Sequence, residues 1–164
     1  MRKIIAILVL SLTAAFSCTK TVGTFEISKP TFRALKGAAN GSAYFTITQM
    51  DDASDKLLSA SCNVACERIE LHDHITDPVT NVKKMTEIKD IIIPGKKDDS
   101  KFKSVEFVIG GKHLMLMGLK PGVTELKEVD IKLVFKKAGE IVVKFKAEDK
   151  DSNPHTECSH GCKH

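Results

Sequence analysis

The stretch GKHLMLMGLKPG, residues 111–122, sets a histidine and two methionines at every second position: His113, Met115 and Met117. In an extended chain, residues two apart share a face, so these three side chains project to one side while Leu114 and Leu116 project to the other. The leucines can anchor a core, and the opposite face then presents an imidazole beside thioethers. Thioether sulfur is soft, binds hard cations poorly and needs no deprotonation, which suits Cu(I). Taken alone, the stretch reads more readily as a core strand with methionine as flexible filler and an edge histidine. A second group lies upstream in ELHDHITDPVTNVKKM, which holds His72, His74 and Met85. His72 and His74 share a face if one strand runs through both; otherwise they are two exposed loop histidines. Two sources of imidazole and two of thioether in one small chain weigh against coincidence.

Five cysteines add to the donor inventory: Cys18, Cys62, Cys66, Cys158 and Cys162. Their state depends on the compartment, and the N-terminus speaks to that. MRKIIAILVLSLTAAFSC has a basic pair, an apolar run over residues 4–12 and then small residues, the layout of a secretory leader over residues 1–17. The run is short for a membrane span. The segment AFSC also fits a loose lipobox, which would leave Cys18 acylated at the new N-terminus and tie the chain to a membrane through lipid alone. In an oxidising compartment the four remaining cysteines form two Cys-x-x-x-Cys pairs, each able to close as a local disulfide or to hold a soft ion. For Cys62 and Cys66, beside a strand, the disulfide is favoured. For the tail, residues 150–164, metal binding is favoured, because His155, Cys158, His160, Cys162 and His164 crowd into a polar segment with nothing to bury.

The elements that must position these groups are strands. Short β-favouring runs (GTFEIS, SAYFTIT, DKLLSA, ERIELH, EIKDIII, KSVEFVI, HLMLMGL, VDIKLVF, EIVVKFKA) alternate with Gly, Pro, Asn and Asp clusters, and no long amphipathic helix interrupts them. That pattern predicts an antiparallel sandwich or barrel. In the clearest run Val129, Ile131, Leu133 and Phe135 point one way. Residues 94–103, PGKKDDSKFK, predict a solvated hairpin insertion. A length of 164 residues suits one domain, here 18–149. The net charge of +4 falls to +2 once Arg2 and Lys3 leave with the leader, which is no basis for binding nucleic acid. Nothing resembles a Ser-His-Asp triad, a phosphate loop or paired catalytic carboxylates, and no enzymatic activity is expected.

NGSAYFTI, ERIELHDH, a following Met, GKHLMLMGLK and LVFKKAGEIVV, in this order across residues 25–145, resemble the periplasmic copper chaperones of the PCu(A)C type. The resemblance implies a cupredoxin-like Greek-key β-barrel or sandwich. It also implies a Cu(I) site made of a histidine, a methionine ten residues on, and a later His-x-Met pair. The later pair maps onto His113 and Met115, with Met117 as a further candidate. Upstream, the histidine of ELH points to His72, but the ten-residue spacing to Met85 fits His74. Either the TDPVT turn is two residues longer here or His74 has taken the role. The Cys-x-x-x-Cys spacing resembles copper sites of Sco proteins and of the dinuclear copper centre of cytochrome oxidase. The function implied is an exported copper chaperone of the periplasm or cell envelope. Its expected acceptor is a cytochrome c oxidase subunit or a Sco-type protein, with Cu(II) as the second oxidation state that the imidazoles allow. The rival functions are a cupredoxin-like electron carrier and a general copper-sequestering protein.

Overall fold

The computed structural model describes residues 19–22, 24–96 and 103–148. The expected leader, Cys18, residues 97–102 of the charged insertion, and the tail with His155, Cys158, His160, Cys162 and His164 lie outside the described residues. The described chain holds eleven strands: β1 (Thr19–Val22), β2 (Phe25–Arg33), β3 (Asn40–Gln49), β4 (Asp55–Ser61), β5 (Cys66–Thr76), β6 (Lys83–Glu87), β7 (Ile91–Ile93), β8 (Lys103–Phe107), β9 (His113–Leu119), β10 (Glu128–Phe135) and β11 (Gly139–Ala147). One 3-10 turn, Val123–Glu125, is the helical element among the described residues.

The strands run in the order β6-β5-β9-β3-β2-β11-β10-β4-β7, with β1 added to β2 and β8 to β3. All pairs are antiparallel except β11 with β2. Two long strands serve both layers of the sandwich. β3 pairs with β9 through residues 40–43 and with β8 through residues 45–49. β2 pairs with β1 through residues 25–28 and with β11 at residues 31–32. Between these halves the register of β2 on β3 shifts, and Lys29 takes a φ of 52° just before Pro30. Proline cannot donate to a ladder, so the bulge falls where the strand changes partners.

The alternation expected in the last strands is observed. Val129, Ile131, Leu133 and Phe135 are all buried, and Leu114 and Leu116 of β9 are fully so. These meet a largely aliphatic and phenylalanine core, with Phe25 against Phe135 at 4.7 Å between ring centres and Phe45 stacked on Phe107 at 4.0 Å. Two details differ from the sequence expectation. EIKDIII is not one strand: β6 ends at Glu87 and β7 begins at Ile91, because β6 pairs with β5 whereas β7 crosses to β4, with Asp90 tied to Lys56 at 3.1 Å. The NVKKM segment, too polar to read as a strand, forms most of β6 as an exposed edge.

Candidate metal centre

Strand β5 runs on through Thr76, so His72 and His74 do share a face. The register then assembles the donors. His72 lies directly opposite His113 on β9, Glu70 opposite Met115, and Arg68 opposite Met117. On the other side, His74 lies opposite Met85 on β6 and His72 opposite Glu87. Ser42 and Asn40 of β3 complete the row beyond Met115 and Met117. One sheet face therefore collects both sequence clusters, while the alternate residues Leu71, Leu114 and Leu116 lock that face to the core. Each fully buried leucine contributes roughly 1.5–3 kcal/mol to holding the strand in place.

Two turns fix the upper edge of this face. In the β5–β6 turn, Asp77 accepts the N–H groups of Val79 at 2.8 Å and Thr80 at 3.1 Å, and Asn81 adopts a φ of 54°. Those backbone N–H bonds hold the Asp77 carboxyl below its usual range. In the β8–β9 turn, Gly110 has a φ of 77°, and the Val108 N–H reaches the Lys112 carbonyl at 2.7 Å. The two turns touch, since Lys83 donates to the Gly110 carbonyl at 3.0 Å.

The imidazoles of His72 and His74 sit beside that of His113. Ring centres are 5.7 Å apart for His72 and His113 and 5.6 Å for His74 and His113, with Tyr44 at 6.4 Å from His113. Metal–nitrogen bonds of about 2.1 Å set two imidazoles on one ion at roughly 5–6 Å between ring centres, so either pair has suitable spacing. The nitrogens are individually assigned by their partners. Nδ1 of His113 donates to the Gly111 carbonyl at 2.9 Å, and Nδ1 of His74 donates to the same carbonyl at 3.2 Å. A carbonyl only accepts, so both rings carry their proton on Nδ1 and leave Nε2 bare. His72 is the reverse: its Nε2 bonds Glu70 at 3.0 Å, and its Nδ1 is buried with no hydrogen-bond partner. Burial depresses the basicity of His113, the Gly111 carbonyl opposing that shift, so the ring stays neutral below the ordinary histidine range. Among the described residues no three His, Cys, Asp or Glu side chains are arranged to hold an ion. Met85, half-exposed, lies at the solvent edge of this face.

Two of the expected donor groups do not join this cluster. Met117 is four residues from His113, about 13 Å along the strand, with Met115 between them. Cys62 and Cys66 are free and buried; Cys66 opens β5, about 20 Å from His72 at the usual rise per residue, and Cys62 lies in the turn before it. There the Cys66 thiol donates to the Cys62 carbonyl oxygen at 3.6 Å. The closeness of the two thiols draws that of Cys62 down and pushes that of Cys66 up, burial adding to the rise at Cys66. Sequence reasoning missed Glu70, Arg68 and the Gly111 carbonyl. The alternation that paired His72 with His74 extends back to Glu70 and Arg68, and could have found both side chains.

Comparison with known proteins gives a family and a fold. A family model described as "Putative lipoprotein LpqE-like" matches residues 25–147. No curated protein matches the chain. Among solved structures, the copper-bound PCuAC domain from PmoF2 is similar at a TM-score of 0.63 and 22% identity, covering 80% of this chain and 97% of that one. The apo PCuAC domain from PmoF1 has a TM-score of 0.63 and 21% identity, covering 80% and 98%. The solution structure of CuI-DR1885 from Deinococcus radiodurans has a TM-score of 0.56 and 22% identity, covering 84% and 83%. These matches bear out the resemblance to PCu(A)C domains and the all-β sandwich-like fold expected from the sequence.

Proposed function

The chain belongs to the LpqE-like family and has the fold of PCuAC domains, and from that footing we propose that it is an exported chaperone that carries Cu(I) and hands it to an acceptor protein. The observation that carries the proposal is the buried, unpartnered Nδ1 of His72, directly across the ladder from His113. A buried polar atom without a hydrogen-bond partner costs free energy, and a soft cation flanked by thioethers would meet it. The ligands are His72, Met85, His113 and Met115. His74 stands beside them, with its own bare Nε2 opposite Met85, as the residue that receives or releases the ion at the exposed edge. Neutral imidazole and thioether exclude Mg²⁺ and Ca²⁺ by donor type.

The role is carriage and not catalysis. Thioethers bind Cu(I) less tightly than thiolates do, so an acceptor with paired cysteines would take the ion. A dinuclear copper centre of cytochrome c oxidase, or a Sco-type protein, has that chemistry. The lipoprotein description of the family agrees with an exported, envelope-bound chain anchored through Cys18. An electron carrier of the blue-copper kind needs a thiolate together with two histidines, and Cys66 is about 20 Å from His72 along β5. The test is to load the full chain, its own cysteines replaced by Ala, with Cu(I) and record its copper X-ray absorption before and after adding a reduced dithiol acceptor. Mixed nitrogen and thioether coordination that empties onto the acceptor is expected. A site without sulfur, or an ion that does not transfer, would defeat the proposal.

A further inference from the structure

Resting on the Cu(I) reading, we infer that Glu70 is a positioning residue for copper capture: it holds His72 as the Nε2–H tautomer, so that His72 presents Nδ1 to the ion while His113 presents Nε2. Glu70 accepts from His72 Nε2 through one oxygen at 3.0 Å and from Arg68 Nε through the other at 2.8 Å. A carboxylate only accepts, so the ring proton sits on Nε2. The His72 side chain is 11% exposed and that of Glu70 18%, so water competes weakly for this contact. The proton is thus placed away from the site and the lone pair toward it.

The two cross-strand histidines then use different atoms. His113 is fixed in the opposite sense by the Gly111 carbonyl. Nδ1 lies close to the backbone and Nε2 at the far tip of the ring, so the pair reaches one ion with a short arm and a long arm. Such an ion lies nearer β5 than β9, on the side from which Met85 approaches. Arg68, exposed at the outer end of the relay, keeps the carboxylate from turning toward solvent or toward the ion itself. Groups that orient a metal-binding histidine typically change metal affinity by 10–100-fold when removed.

The experiment uses the full chain with its cysteines replaced by Ala, labelled with nitrogen-15, and reads the imidazole nitrogens by NMR before and after adding Cu(I). In the metal-free protein His72 is expected as the Nε2–H tautomer and His113 as Nδ1–H. Cu(I) should then move Nδ1 of His72 and Nε2 of His113. Glu70→Ala should mix the tautomers of His72, leave His113 unchanged and weaken Cu(I) about 10–100-fold. If Glu70→Ala does not fold, Arg68→Ala reads the same relay, with a smaller loss expected, because its side chain is mostly in solvent. His72 found as Nδ1–H, or an unchanged tautomer and affinity in the folded variant, would overturn the inference. A parent protein that takes no Cu(I) yet shows the expected tautomers would instead remove the copper reading and leave the relay standing.

Discussion

His113 is where burial and ligand chemistry meet. Its ring is kept neutral by its removal from water, so the folded protein binds its proton at lower pH than the unfolded chain, whose ordinary value is 6.5. The sign follows: below pH 6.5 the unfolded chain holds more protons, so stability is full above that value and is lost as pH falls toward the depressed folded value. Denaturant midpoints of the metal-free protein should therefore fall as the pH drops below about 6.5, and His113→Gln should flatten that loss. An equal acid loss in the variant would remove His113 as its source. Copper binding follows the same sign, because only neutral imidazole ligates. At this scale His113, Met115, His72, His74 and Met85 stood out in the sequence by residue type, and the family resemblance left His72 and His74 as alternatives. Which nitrogen each ring offers was not visible, because it depends on the Gly111 carbonyl and on Glu70, which reach the rings only through the fold.

At the scale of elements, the site depends on β5 and β9 staying in register, and their register depends on the leucines behind them. A one-residue slip would turn His113 and Met115 into the core and expose Leu114 and Leu116. Leu116→Ala should cost about 2–5 kcal/mol by denaturant melting, as a fully buried leucine. Gly41→Ala should also destabilise, by about 1–3 kcal/mol, since a Cβ there would stand 2.7 Å from the Arg33 backbone carbonyl oxygen. Melting curves that match the parent would contradict the packing described. The cysteine pair belongs to another place in the sheet. Replacing Cys62 and Cys66 by Ala should leave the affinity of the His113 site unchanged when the tail is absent, and a loss there would bring the thiols back into the site. Most strands were legible from alternation. β6 was not, because a polar edge strand carries no apolar period, and the break at residues 88–90 was not, because it is set by which neighbour each half pairs with.

The whole molecule adds the parts beyond the sandwich. The tail at residues 150–164 carries Cys158 and Cys162 with His155, His160 and His164, and its soft donors fit an accessory arm that captures copper and passes it to the core. Removing residues 151–164 should lower the Cu(I) stoichiometry by about one under reducing conditions while leaving the core site intact; equal stoichiometry and equal transfer rate would make the arm dispensable. The expected leader, the acylation of Cys18 and the metal-binding tail rest on composition and lie outside the described residues. The central claim concerns the sandwich, and one titration meets it most directly. Cu(I) competition against a chromophoric chelator would compare the chain lacking residues 151–164 and all cysteines with the same chain carrying His113→Ala. One Cu(I) per chain in the first and none retained in the second is the expected result; a first protein that binds no Cu(I), or a second that binds it equally well, would contradict a copper site on the β5–β9 face.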